Sequence, residues 1–295
     1  MIKIENLTKS YGTDKGVFDL SFQVLAGEVF GYLGPNGAGK TTTIRHLMGF
    51  LNPDTGRCFV NDLDCRRQAA EIQKFTGYLP GEIAFFDWMN GFEFLKLMAA
   101  MRGLRSLEKR DYLIEMLELD CSGKIRKMSK GMKQKLGIVS AMMHDPNVLI
   151  LDEPTSGLDP LMQKRFFSLI QAEKENGKTI LMSSHSFDEV ERTCDRIGII
   201  RYGRLVAVED ITTLLAAQRK TYTVTFADHE IAADFVRRGF EIVSRNDNVV
   251  EVAIQANLTE FLATLPQYQV TSLDTAKLGL EEVFMQYYGK DGSND

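Results

Sequence analysis

The sequence predicts an α/β domain built on a largely parallel sheet, followed by a small α+β domain. Three observations predict it. An apolar strand, Val29-Phe30-Gly31-Tyr32-Leu33, runs into a glycine-rich loop and then a helical pattern from Thr42 to Phe50. A second apolar run, Val148 to Leu151, ends on two carboxylates, and four successive apolar residues suit a strand covered on both faces. The tail after about Leu215 changes to short alternating strands with helical stretches between them.

Composition bounds the answer. A chain of 295 residues has room for one large domain and a small one. Its 44% apolar and 25% charged residues are those of a globular protein. The net charge of −5 gives no overall electrostatic case for nucleic acid. No stretch approaches the ~20 apolar residues of a membrane span, and the start, Met1 to Glu5, lacks the apolar core of a signal peptide. Cys58, Cys65, Cys121 and Cys194 have no CxxC spacing and read as reduced thiols of a cytoplasmic protein.

The loop is Gly34-Pro35-Asn36-Gly37-Ala38-Gly39-Lys40-Thr41, followed by Thr42. It matches G-x-x-x-x-G-K-[ST] in the strand–loop–helix context that the pattern requires. Bare glycines let the main chain curl so that several N–H groups point inward, and a helix start adds its positive dipole end. Lys40 is expected on the β- and γ-phosphates of ATP, and the Thr41 hydroxyl on Mg²⁺.

Further elements follow in order. Ile2-Lys3-Ile4 and Val17 to Val24 read as strands, with Tyr11-Gly12 between them. After the turn Asn52 to Gly56 come a strand at Arg57–Asn61, a helix at Arg66–Phe75 and a strand at Gly77–Leu79. Asp87 to Leu119 carries helical apolar spacing, Phe92, Leu95, Met98 and Ala99, then Leu113, Met116 and Leu117. Ser129 stands as the N-cap of a helix reaching about His144, and Gly131 lets main chain approach a ligand.

Asp152 and Glu153 end the second apolar run, at the edge where open α/β sheets bind ligands. Asp152 is expected to hold Mg²⁺, and Glu153 to orient or deprotonate an attacking water. Pro160 opens a helix reaching about Asn176, and Thr179–Ser183 is a strand that delivers Ser184-His185 to the same edge. There His185 can donate to a terminal phosphate. His46, His144 and His229 have no such placement.

Together Gly34 to Thr41, Met128 to Met132, Leu151 to Thr155, Ser156 to Asp159 and Ser184-His185 resemble, in order and spacing, an ABC-transporter nucleotide-binding domain with a P-loop NTPase core. The resemblance covers about residues 1–210. It implies an ATPase domain at 1–215, with a helical subdomain at about 87–145, and a head-to-tail pair of such domains enclosing two ATP. Tyr11 resembles the aromatic residue that stacks on adenine. Ser129 and Gly131 are then expected on the γ-phosphate held by the second subunit, and Asp159 between the two sites. Hydrolysis would drive a separate membrane permease with several transmembrane helices, placing the chain on the inner face of the plasma membrane. The resemblance leaves open a pair of identical or of different chains, and it implies no nucleic acid.

This chain departs from the family pattern twice. The usual Leu-Ser-Gly-Gly-Gln signature is Met128-Ser129-Lys130-Gly131-Met132. Pro80 is followed by Gly81-Glu82, where Gln usually follows the proline, so Glu82 becomes a candidate Mg²⁺ or water ligand. Tyr78 to Glu82 resembles exporter-type ATPases that work with separate six-span permeases. Nearby Ile83, Phe85, Phe86, Trp88 and Met89 suit a groove for a permease helix. A soluble ABC ATPase acting on ribosomes or DNA is the alternative, though such relatives usually carry two ATPase domains or long coiled coils. A sensor that binds without hydrolysing is opposed by intact Lys40, Asp152, Glu153 and His185.

The tail, 216–295, reads βαββαβ and then a helix at Gly279–Tyr288, a ferredoxin-like order. That topology can bind RNA, but from Arg219 onward seven basic residues face twelve acidic ones. A regulatory or dimer-stabilising domain is expected.

Overall fold

The computed structural model describes residues 1–13, 15–216, 220–254 and 258–276. The chain divides into two compact units, Met1–Ile211 and Thr212–Asp295. The first runs β1 (Ile2–Ser10), β2 (Gly16–Val24), β3 (Val29–Leu33), α1 (Lys40–Leu47), β4 (Thr55–Val60), β5 (Leu63–Asp64), α2 (Ala69–Phe75) and β6 (Thr76–Leu79). It continues through α3 (Gly91–Met101), α4 (Glu108–Met116), α5 (Lys130–Met142), β7 (Val148–Asp152), α6 (Pro160–Glu175), β8 (Thr179–Ser184), α7 (Phe187–Thr193), β9 (Arg196–Arg201) and β10 (Arg204–Asp210).

A six-stranded sheet has the order β10–β9–β3–β8–β7–β6. From β9 to β6 all neighbours are parallel, and β10 closes the edge antiparallel. Strands β3, β7 and β8 are buried along their whole length, which is why they read as unbroken apolar runs. A second, antiparallel sheet has the order β2–β1–β4–β5. One core joins both sheets and α1, with Ile4, Leu20 and Phe22 meeting Phe30, Tyr32, Ile44 and Leu47. Phe22 stacks on Phe30 and Tyr32 at 5.3 and 5.2 Å. The Tyr32 hydroxyl pairs with Thr43 at 3.2 Å, fixing α1 to the sheet.

Between 87 and 145 the named elements are all helical: α3, α4, a 3₁₀ turn at Ile125–Lys127, and α5. Helix α3 starts in a capping box, Asn90 with Glu93. The helical spacing read from 87 to 119 divides into α3 and α4, and Gly103, between them, adopts φ +65°. The helix expected from Arg66 begins at Ala69, because Asp64 accepts from the Arg66 and Arg67 amides at 2.9 and 3.0 Å and holds them in a turn.

Helix α8 (Ile211–Ala216) comes next, and the second unit continues with β11 (Lys220–Phe226), α9 (His229–Val236), β12 (Glu241–Asn246), β13 (Val249–Ile254), α10 (Leu258–Thr264) and β14 (Val270–Ala276). The sheet order is β12–β13–β11–β14, every neighbour antiparallel. Its core packs Val224, Phe226, Val250 and Val252 against Phe235 and Phe261. The helix expected at 279–288 lies outside the described residues.

All four cysteines are free and buried. Burial pushes the Cys58 and Cys194 thiols up to about 12 and the Cys121 thiol up to about 11, and raises Cys65 as well. No described helix is long and apolar enough to cross a membrane.

Candidate active site

The parallel register brings three C-terminal strand ends together. Leu33 of β3 lies beside Ser184 of β8, and Ser183 lies beside Asp152 of β7. The glycine-rich loop, the carboxylate pair and His185 therefore emerge at one edge. A cleft of about 440 Å³ opens there, lined by Tyr11, Asn36, Gly37, Gly39, Lys40, Thr41 and Thr42. Tyr78, Gly81, Glu82, Asp152 and Glu153 line it as well.

Gly39 holds φ +110°, and a Cβ there would sit 2.7 Å from Val17 Cγ1, so only glycine fits. Lys40 follows as the first residue of α1 and is 5% exposed. Its ammonium donates to the carbonyls of Gly34 at 2.7 Å and Pro35 at 3.2 Å, and lies 3.6 Å from Glu153 Oε1. Burial pulls the Lys40 pKa down, while Glu153 and Asp152 push it back up. Gly34, Pro35 and Ala38 thus form the floor of the loop; Ala38 is buried, and its carbonyl accepts from the Gly203 amide at 3.0 Å.

Asp152 is fully buried and held at both oxygens. Thr41 Oγ1 donates to Oδ2 at 2.7 Å and Ser183 Oγ to Oδ1 at 2.5 Å. The Glu153 amide donates to the same Ser183 hydroxyl at 3.0 Å. Glu153 adopts φ +48°, leaving the strand's alternation, and reaches Lys40 on one side and His185 Nδ1, at 3.6 Å, on the other. A non-glycine residue in that region is strained, a feature that clusters at functional sites. Glu82 is exposed on the cleft lining, and a Cβ on Gly81 would come within 3.2 Å of Asp152 Oδ2. Tyr11, 54% exposed, offers its ring at the mouth.

Ser129, Gly131 and Asp159 do not line this cleft. Ser129 Oγ accepts from the Met132 amide at 3.2 Å and caps α5. Asp159 accepts from Leu161 and Met162, both at 3.0 Å, and caps α6. A Cβ on Gly131 would meet the Gly157 carbonyl at 2.6 Å, so the two loops touch main chain to main chain.

Several residues of the site escape sequence reasoning. Ser183 bridges Asp152 and Glu153. Gln134, 4% exposed on α5, donates to the carbonyls of Glu153 at 3.2 Å and Pro154 at 2.8 Å. Arg45 and Tyr78 line the cleft, and burial raises the Tyr78 phenol to about 12. Only Ser183 had a signal, its place two residues before His185 on a legible strand.

The ABC transporter family model matches residues 17–156, and an AAA-domain model overlaps it at 124–190. The chain is 30% identical to the uncharacterized ABC transporter ATP-binding protein YhcH of Bacillus subtilis, over 98% of this chain and 96% of that one. The chain belongs to the ABC transporter ATP-binding family. This ABC ATPase is also 36% identical to the bacitracin transport ATP-binding protein BcrA of Bacillus licheniformis, over 82% of this chain and 80% of that one. It is 37% identical to the linearmycin resistance ATP-binding protein LnrL of B. subtilis, over 72% and 70%. Among solved structures, an ATP-binding subunit of an ABC transporter superposes with a TM-score of 0.66 at 29% identity, covering 81% of this chain and 95% of that one. A dimeric post-hydrolysis cassette bound to ADP and phosphate superposes at 0.65, with 20% identity, over 72% and 99%. The ABC ATPase hydrolyses ATP to drive transport.

Proposed function

We propose that this ATPase powers export through a separate membrane permease, working as one half of a head-to-tail pair on the inner face of the plasma membrane. The juncture of Lys40, Glu153 and His185 within 3.6 Å contacts at one sheet edge carries the reading. It joins a phosphate-gripping cation, a carboxylate base and a hydrogen-bond donor. The export direction is supported by likeness to proteins named for bacitracin transport and linearmycin resistance.

Thr41, the Asp152 carboxylate and Glu82 would hold Mg²⁺. A hydroxyl, one or two carboxylates and phosphate oxygens are the donors this ion takes. Among the described residues no three His, Cys, Asp or Glu side chains gather to hold a metal alone, which fits an ion that arrives with its nucleotide. Bound there, the ion would supply neutralising charge for the β- and γ-phosphates. Glu153 takes the proton of the attacking water. Lys40 and His185 hold the γ-phosphoryl oxygens, and the loop from Gly34 to Thr42 holds the remainder of the triphosphate. Tyr11 stacks on adenine, and stacking carries little base specificity. Ser129, Gly131 and Asp159 face the second subunit's site, consistent with their place outside the Lys40 cleft.

The second unit is a ferredoxin-like regulatory domain. Its element order and antiparallel β12–β13–β11–β14 sheet support that reading. Phe86, 47% exposed, and Trp88, 67% exposed, are apolar anchors for the permease.

Turnover and pairing test this function together. Lys40→Ala is expected to abolish ATP hydrolysis. Glu153→Gln keeps ATP binding, loses at least about 100-fold in kcat, and accumulates an ATP-dependent dimer on size exclusion. Full turnover in Glu153→Gln overturns the assignment of the base.

A further inference from the structure

We propose that a pocket between the end of α1 and the β4–β5 hairpin binds inorganic phosphate: Arg57, Arg66 and Arg67 take its anionic oxygens, and His46 accepts its P–OH. The site shares no lining residue with the Lys40 cleft and goes beyond the function proposed above.

An orphaned nitrogen marks the site. His46, in the last turn of α1, is 2% exposed and lines a cavity of about 140 Å³. Its Nδ1 lies 2.8 Å from the Thr42 carbonyl. A carbonyl only accepts, so Nδ1 carries the proton. Burial holds the ring below its ordinary pKa, against the Thr42 and Asn52 carbonyls, and keeps it neutral near pH 7. Nε2 is then a bare acceptor, and it has no hydrogen-bond partner. The nearby Asn52 carbonyl is an acceptor too and cannot supply one. A buried polar atom left this way calls for a ligand with a proton to give.

The rim supplies the opposite kind of group. Arg57 on β4, and Arg66 and Arg67 in the turn before α2, line the same cavity and are exposed. Among the described residues their guanidiniums make no hydrogen bond, ion pair or ring contact. The two carboxylates of the lining are occupied. Asp54 accepts from Lys9 Nζ at 2.7 Å and the Ser10 amide at 2.8 Å. Asp64 accepts from the Arg66 and Arg67 amides, which fixes the point where both arginines leave the main chain. Three guanidiniums against two carboxylates, one already paired with Lys9, leave the pocket positive in a protein of net charge −5. A guanidinium is always charged, and its planar fork matches phosphate oxygens.

Size and donor pattern choose among anions. A volume of about 140 Å³ holds some four waters at roughly 30 Å³ each. A tetrahedral anion of five heavy atoms fits that space, and a nucleotide far exceeds it. The arginines need anionic oxygens, and Nε2 needs a proton. Hydrogen phosphate carries both at neutral pH. Sulfate has no proton to give, and a phosphomonoester, with a second pKa of about 6, has lost its own. Phosphate is also the anion that ATP hydrolysis releases.

The test uses the full chain with its proposed nucleotide cleft filled by a non-hydrolysable ATP analogue and Mg²⁺. Equilibrium dialysis of labelled inorganic phosphate near pH 7.5 is expected to show one saturable site per chain. Sulfate and glycerol 3-phosphate should compete at least about tenfold more weakly than unlabelled phosphate. Arg66→Ala/Arg67→Ala should weaken phosphate binding at least about tenfold and keep the wild-type affinity for the ATP analogue. His46→Asn removes Nε2, so phosphate affinity should fall to that of sulfate while sulfate affinity stays unchanged. No saturable uptake, a double arginine variant that binds phosphate as wild type does, or sulfate and glycerol 3-phosphate competing as well as phosphate overturns the proposal. Failure of the analogue to bind any of these chains would instead strike at the proposed nucleotide cleft.

Discussion

Ser183 Oγ donates to Asp152 Oδ1 at 2.5 Å, side by side on neighbouring parallel strands. The same hydroxyl accepts from the Glu153 amide, so one small side chain sets both carboxylates. Ser183→Ala leaves a buried charged oxygen and a main-chain amide short of a partner. An unmade bond of this kind costs about 1–3 kcal/mol. Expected are a lowered denaturation midpoint in urea and a kcat reduced about tenfold or more, because Glu153 loses its anchor. A variant with wild-type midpoint and kcat refutes the role.

Glu82 lines the cleft together with Asp152 and stands one residue beyond the position where the family pattern has Gln. If its carboxylate helps hold Mg²⁺ or water, Glu82→Ala raises the Mg²⁺ concentration needed for half-maximal hydrolysis and lowers kcat. Mg²⁺ titration of ATPase activity reads both. Activity matching wild type at every Mg²⁺ concentration removes Glu82 from the metal site.

His144 governs part of the acid sensitivity. Burial, then the Arg102 guanidinium, pushes its imidazole down to about 4; Lys178 adds to the push, and Asp145 and the Thr76 carbonyl oppose it. The folded chain therefore holds His144 neutral where the unfolded chain protonates it. The stability this contributes is complete above about pH 6.5, is lost as pH falls toward 4, and changes no further below that. Allowing for the ring's partial exposure, the loss is about 2 kcal/mol. Urea unfolding at pH 7 and pH 4.5 should show a smaller drop in His144→Gln than in wild type; equal drops contradict the assignment.

The site was legible where chemistry is local. The Gly34–Thr41 loop, the Asp152-Glu153 pair and His185 each end an apolar run, and parallel register alone brings those ends together. What stayed hidden depends on contacts between distant segments. Gln134 looks like any polar residue on a helix until α5 packs beneath the Glu153–Pro154 carbonyls. Arg45 and Tyr78 belong to the cleft only because α1 and β6 converge on it. Strands β9 and β10 and helix α7 were not anticipated, although Ile197 and Ile199–Ile200 form an apolar run. In the tail the strand order followed from alternation, while the sheet order needed pairing that no local pattern encodes.

The four native thiols, each at most 9% exposed and raised in pKa, are poor nucleophiles near neutral pH. A maleimide dye or spin label should therefore pass them by and react with a cysteine introduced at an exposed site such as Tyr202, 76% exposed on the β9–β10 turn. Opening and closing of the proposed pair could then be timed by fluorescence or dipolar spectroscopy without first stripping the chain of its own sulfur.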